Sequence, residues 1–409
     1  MIGAPWRWRV GLVALLVAAS VSTHWIGPRR PNSLDARAAE ELIVTSSADF
    51  GPGSLREALF AAARVHGRAR IRLAVARIDL ETPLPPASQP SAIIIDTDLH
   101  TVIDARTLSG GGAVLDLQSP RTLVRNVTVA HAPGTAFLVR AEDVELDGIS
   151  ALDSDIGIAV VGNGPYVDIR NCTMARNRLG LQLAAPVTGI VHSCKFSQHA
   201  ESAVWAVPPV TGAPARTPLK IVDNVFIADR DAVVLANLPV DAERNHFDKS
   251  LRNSITVLGS EVTLRGNKIQ GAVGNGIFID AADRIVITDN EIGNSPGTAI
   301  MLKNSAAVSV DHNRIYGNAY GIVQVLGKKD TPLTLAHNLI FSQRLDGLLI
   351  IGASPVVSDN RSINNAGAGI KILNVVRQGR VSVEAAPLLD RNETAGNTIG
   401  DVVRGAYPL

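Results

Sequence analysis

The chain has 409 residues and a net charge of +1, with 46% hydrophobic and 19% charged residues. Those values exclude global disorder and leave no overall field for nucleic acid or an anionic membrane surface. Two cysteines exclude a disulfide scaffold, and aromatics at 4% beside 35 glycines suit stacked short strands better than a conventional enzyme core.

The first nine residues, MIGAPWRWR, carry two arginines, and an apolar run follows from Val10 to Val21. That run falls short of the ~20 residues a transmembrane helix needs. A positive start, a short apolar middle and the small residues Ala18, Ala19 and Ser20 describe a secretory signal over 1–21, with a second candidate cleavage site reaching to Ala38. The expected compartment is the periplasm or the exterior. Membrane attachment would come only from an uncleaved leader. Residues 22–41 read as a polar linker, 42–100 as an N-terminal cap and entry segment, 101–385 as repeats and 386–409 as a C-terminal cap or tail.

The repeat shows in the phrases EVTLRGNKI (261–269), RIVITDNEI (284–292), AVSVDHNRI (307–315) and PLTLAHNLI (332–340). Each alternates aliphatics at period two and then reaches Asn. The Asn recurs at 224, 245, 267, 290, 313, 338 and 360, and the same column holds Cys172 and Cys194 further back. A second phrase follows each first one, as in LGLQL (179–183), NGIFI (275–279) and AGIKI (368–372). A leucine-rich repeat would need a helical return segment, and a propeller blade would need ~40 residues. The remaining reading is all-β: a right-handed parallel β-helix of 11–12 turns with an N-terminal capping helix. Fixed places in the period then form columns ~4.8 Å apart along the axis. Cys172 and Cys194 come within disulfide reach, and a bond and two buried thiols both remain open.

The Asn column, the xGIxI phrases and the period resemble the pectin-lyase-like right-handed β-helix superfamily. The segment VTSSADFGPGSLREAL (44–59) resembles the entry of secreted β-helix proteins, in which SLREAL would cap the first turn and TVIDA (101–105) would begin the coil. The resemblance implies the fold and leaves function wide, because this fold hosts lyases, hydrolases, epimerases and adhesive proteins. The NTD, DD, GHG and RIK motifs of polygalacturonase-like hydrolases and the DPHD motif of alginate C5-epimerases are absent. No cofactor is called for. For calcium the chain offers only the acidic fragment LDSDIG (152–157).

The columns point to a site. In the C-terminal turns the corner between the two phrases reads GNSPG (293–297), GNAYG (317–321) and NNAGAG (364–369), which are small turn-formers. In earlier turns the same corner carries His131, Asp153 with Asp155, Arg176 with Arg178, His199 with Glu201, and Arg230. Carboxylates, arginines and imidazoles in one patch suit an acidic saccharide, with Arg holding the sugar carboxylate and His moving a proton. The expected catalytic residues are therefore His131, His199 and Asp153, the last orienting a histidine. The expected substrate-binding residues are Arg176, Arg178, Asp155, Arg230 and Trp205. The competing reading is a row of solvated ladder salt bridges. The leading function is lyase or C5-epimerase chemistry on an acidic polysaccharide. The alternative is a non-catalytic polysaccharide-binding or scaffold protein of an export or surface assembly.

Two further features stand apart. The outward column Leu138, Ala159, Gln182, Trp205, Val234, Phe278, Met301, Val323, Leu349 and Lys371 is too apolar to face water along its length. It is expected to meet the chain's own segments or a protein partner, with Trp205, Phe278, Met301 and Leu349 as contacts. His192, His246, His312 and His337 flank ladder positions and are assigned to corner surface, without a metal set.

Overall fold

The computed structural model describes residues 39–162, 165–209, 217–327 and 331–408. The expected leader over 1–21 or 1–38, and the linker up to residue 38, lie outside the described residues. The centre of the insertion at 207–218 lies outside them as well.

Each turn of the chain visits three sheets. Around residue 150 the first sheet takes Val144–Asp147, Tyr166–Arg170 and Thr188–His192. The second takes the three-residue strands Ser150–Leu152, Thr173–Ala175 and Lys195–Ser197. The third takes Ile156–Val160, Leu179–Leu183 and Ser202–Ala206. Successive turns pair in parallel, for example Val144 with Val167 and Leu181 with Val204. Strand, crossover and parallel strand make a right-handed coil. The second sheet alone stacks 14 strands, so the coil has about 13 turns rather than 11–12.

The extra turns lie at both ends. Arg68–Leu73 already pairs with Ala92–Asp96 inside the entry segment. Beyond residue 385, Leu388–Asp390, Glu393–Ala395 and Gly400–Pro408 add a strand to each sheet. A hairpin formed with Arg380–Val383 lengthens that interval, so Asn360 reaches Asn392 across 32 residues. The lengthened spacing hid the last turn from a count based on period. At the other end the helix Leu55–Ala62 is capped by Ser54, whose Oγ accepts from the Glu57 N–H, and it buries Leu55, Ala58, Leu59 and Ala62.

The interior is a set of aliphatic columns. One column of the second sheet runs Phe196, Phe226, Phe247, Ile269, Ile292, Ile315 and Ile340, all fully buried. Its phenyl rings stack 4.8 and 4.7 Å apart.

The first corner, between the first and second sheets, is built by the asparagines. Asn313 Nδ2 donates to Asn338 Oδ1 at 2.9 Å and to the Ile287 carbonyl at 2.9 Å, and Asn338 Oδ1 also accepts the Asn313 N–H at 3.0 Å. The pattern repeats from Asn224 to Asn360, with every member buried. The Asn313 amide thus satisfies three backbone groups, the Ile287 and Asp311 carbonyls and the Asn290 N–H. Cys172 and Cys194 continue the column as free, buried thiols. The Cys172 N–H donates to Cys194 Sγ at 3.4 Å, and burial pushes the Cys172 thiol well above its ordinary pKa.

The second corner, between the second and third sheets, holds another interior polar column. It contains Ser154, Asn177, His199, Asp229, Ser295, Asn318, Gln343 and Asn365, all buried. Ser154 N–H donates to Asn177 Oδ1, Ser295 N–H to Asn318 Oδ1 and Asn318 N–H to Gln343 Oε1, at 2.9 to 3.0 Å. The glycine of the xGIxI phrase faces this column. A Cβ on Gly180 would stand 2.7 Å from His199 Nε2, and one on Gly347 would stand 2.7 Å from Asn365 Nδ2. The turn-formers of GNSPG, GNAYG and NNAGAG therefore include Ser295, Asn318 and Asn365 as inward ladder members, whereas the sequence suggested that they only close a corner.

Candidate functional site

The second corner turns outward one residue before its interior column. At that step His131, Asp153, Arg176 and Gln198 all adopt left-handed backbone angles, φ between 51° and 58°. Each donates its N–H to the following turn, His131 to Leu152, Asp153 to Ala175 and Arg176 to Ser197, all at 3.0 Å. The left-handed step aims their side chains away from the coil, which brings the expected column together.

His131 is held from the preceding turn. Its Nδ1 donates to Asp104 Oδ1 at 3.1 Å, and its Nε2 lies 3.1 Å from Arg106 Nη2. A carboxylate only accepts, so the proton of the bond to Asp104 sits on Nδ1, whereas Arg106 Nη2 lies against the ring, 3.1 Å from Nε2 and 3.5 Å from Nδ1. Asp104 also accepts from the Arg106 N–H at 2.9 Å and from Arg77 at 2.7 Å. Burial alone would raise the Asp104 carboxyl, but the Arg106 amide, the Arg77 guanidinium and His131 together hold it below the usual carboxylate range. The carboxylate that orients His131 is thus Asp104. Asp153, given that task by the sequence, instead accepts both nitrogens of Arg176 at 2.7 Å. Arg176 holds Asp153 below the usual carboxylate range.

Two places on, the third-sheet register continues into a column of Asp155, Arg178, Glu201 and Arg230. Arg178 Nε donates to Asp155 at 2.6 Å and its Nη1 to Glu201 at 2.7 Å. Asp155 is the larger cause that raises the Arg178 pKa above its ordinary value, and Glu201 adds to it. Arg230 is exposed at the end of this row. Both carboxylates of the LDSDIG segment therefore face arginines.

His199 lies elsewhere. Its side chain is fully buried in the interior column, with Nδ1 2.6 Å from Asp229 Oδ1 and Nε2 3.4 Å from Asn177 Nδ2. The expected exposed imidazole at that turn is thus an inward one, and it touches no part of the corner surface. Trp205 stands on the outer face of the third sheet between Gln182 and Val234, 37% exposed. The apolar column it belongs to is continuous, with Thr256 between Val234 and Phe278. At its C-terminal end Val323 and Leu349 pack with Ile351, Val375 and Val383, so the chain's own hairpin covers the stripe there.

Sequence reasoning did not find Asp104, Arg106 and Arg77. The signal of Asp104 and Arg106 was the charged run just after TVI, in a turn read only as the start of the coil, and Arg77 lay one turn earlier in the segment read as the entry. It also missed an aromatic patch on the outer face of the second sheet. There Tyr316 and Phe341 stack 5.5 Å apart under Arg314, and the Tyr316 hydroxyl donates to Glu291 and accepts from Gln270.

Among known proteins, the family model described as the right-handed β-helix region matches residues 253–384. The search of curated proteins gave no match. Among solved structures, the chain is similar to the periplasmic alginate epimerase AlgG, with 13% identity and a TM-score of 0.50 over 75% of this chain and 85% of that one. It is also similar to a mutant tailspike protein of E. coli bacteriophage HK620, with 11% identity and a TM-score of 0.50 over 90% of this chain and 78% of the other. These likenesses bear out the β-helix fold expected from the repeat.

Proposed function

We propose that this β-helix protein acts outside the cytoplasm on a polysaccharide that carries carboxylates, by removing the proton beside the carboxylate as a lyase or C5-epimerase does. The observation that carries the reading is the Asp104–His131–Arg106 group on the exposed corner, in which a carboxylate orients the imidazole and a guanidinium lies against its ring. A base needs an acceptor nitrogen, an orienting carboxylate and a nearby cation that stabilises the developing charge. Arg106 is well exposed, so its remaining donors are available to a sugar carboxylate in the bidentate manner. Arg176, Arg178 and Arg230 continue the row over the following turns, alternating with Asp153, Asp155 and Glu201. The likeness to a periplasmic alginate epimerase agrees with the compartment and the substrate class.

The test is incubation of the purified protein with a panel of uronate polymers, read by ultraviolet absorbance for unsaturated product and by NMR for epimerised product. One polymer should be converted. His131→Ala should lower turnover by about 10²–10⁴-fold while binding persists, and Asp104→Asn should lower it through the wrong tautomer. Conversion that is undiminished in His131→Ala would overturn the assignment. A second reading, a non-catalytic saccharide-binding protein, is favoured by the carboxylate partners that Arg176 and Arg178 already have. Binding of a polymer by the wild type without conversion of any would select it.

A further inference from the structure

At the first corner, on the opposite side of the second-sheet strands from His131, two histidines stand one above the other. The phrases DHN (311–313) and AHN (336–338) occupy equivalent places in consecutive turns. The buried Asn313–Asn338 bond fixes the register of those turns, so the residues just before each asparagine must superpose. His312 and His337 both take left-handed backbone angles, φ 54° and 52°, which turn them outward. Their rings stack 4.7 Å apart at 16°. One carboxylate spans them: Asp311 Oδ2 lies 2.7 Å from His312 Nδ1, and Asp311 Oδ1 lies 2.9 Å from His337 Nδ1. A ligand atom from each of the three residues falls within 4.8 Å of the others.

We propose that Asp311, His312 and His337 form a binding site for a divalent transition-metal ion, with zinc as the expected occupant. The donor set decides the class of ion. Two imidazoles and one carboxylate suit zinc, nickel or copper, whereas calcium and magnesium need sets made of oxygens. In the metal-free protein the two ring N–H groups donate to Asp311. An ion takes the place of those protons, and the stacked rings turn so that the three ligand atoms, now within 4.8 Å of one another, converge to bonds of ~2.0–2.2 Å. Exposed side chains can make that adjustment, and His312 and His337 are about half exposed. Three protein ligands leave a position for water or for a group from outside.

The surroundings favour a cation. Asp289 and Asp359 stand in the same exposed column, one turn before His312 and one turn after His337. Asp359 Oδ2 is 3.8 Å from His337 Nε2 and is itself held by Arg391 at 2.7 and 2.8 Å. Asp359 therefore stands beside the far nitrogen of His337, on the side where carboxylate partners of metal-binding imidazoles are found. The backbone beneath is fixed by two buried asparagines, so the two turns need no folding step to bring the donors together.

The experiment is calorimetric titration of the untagged protein with zinc chloride, and separately with calcium chloride. Zinc should bind at one ion per chain, and calcium should give no heat at this site. His312→Ala and His337→Ala should each weaken zinc binding by at least about tenfold, since even partners of ligands cost 10–100-fold. The double variant should abolish it. Asp311→Asn should weaken it as well. His192→Ala, at a first-corner histidine outside the cluster, should leave it unchanged. A melting curve of each metal-free variant, expected to match the wild type because these side chains are exposed, separates loss of the site from loss of the fold. Absence of stoichiometric zinc binding in the wild type, or equal binding in the double variant, overturns the proposal.

Discussion

His199 occupies a place filled in other turns by Ser, Asn and Gln, and its ring is wider than any of them. Room for it comes from Gly180, and its Nδ1 is matched by Asp229, whose other oxygen is buried without a partner among the described residues. Removing the ring leaves that carboxyl without its side-chain partner in the interior. His199→Ala should therefore destabilise by about 3 kcal/mol or more, read as a shift of the urea midpoint. His199→Asn, which returns an amide to the column, should lose less. An unchanged midpoint in His199→Ala would mean that the corner is wet. The same residue shows why this part of the site was hard to read. At the second corner a single residue separates the outward step from the inward one, so Gln198 faces solvent while His199 faces the core. Counting places in the period located His131 and Arg176 on the surface. It could not resolve a one-residue alternation in a corner of changing length. It also could not pair His131 with Asp104, because the bond runs to the preceding turn.

Among the elements, the two polar columns do comparable work at the two corners. Each uses a side-chain amide or hydroxyl where a sheet ends and backbone groups would otherwise be unpaired. Asn313→Leu should destabilise by about 1–3 kcal/mol, because Asn290 Nδ2 and the Asn290 N–H both lose their acceptor in a buried place. Thermal unfolding checks this, and an unchanged melting temperature would contradict the burial of the column. The first column was plain in the sequence, because Asn recurs in it at seven closely spaced places from Asn224 to Asn360. The second was not, since Ser, Asn, His, Asp and Gln share only the ability to accept a hydrogen bond. The aromatic patch of Tyr316 and Phe341 escaped notice for a related reason. Its members come from three-residue strands, which are too short to show alternation.

The architecture of the whole molecule followed from the period alone, and the number of turns did not. The outermost turns carry the interruptions, namely the helix Leu55–Ala62 at one end and the hairpin closed by Arg380–Val383 at the other. The apolar stripe on the third sheet was expected to need a cover, and at its C-terminal end that hairpin supplies it. Each turn touches chiefly the turn before and the turn after it, so stability is summed turn by turn.

The spacing of the ladder has a mechanical consequence. Successive asparagines are separated by 21 to 25 residues of chain, yet their turns are only ~4.8 Å apart along the axis. Tension applied at the two ends loads one outermost turn at a time, so it peels away while its neighbours stay closed. Each turn released adds roughly 75 Å of extended chain at ~3.4 Å per residue. Extension of a single molecule in an optical trap should therefore give a regular sawtooth with that increment, broken by a longer step where the chain between Asn360 and Asn392 comes free. A single rupture of the entire coil would show instead that the turns are coupled beyond their nearest neighbours. A protein built in this way behaves under load like a spring that lengthens coil by coil, and it can yield at one end without losing the corner that carries His131.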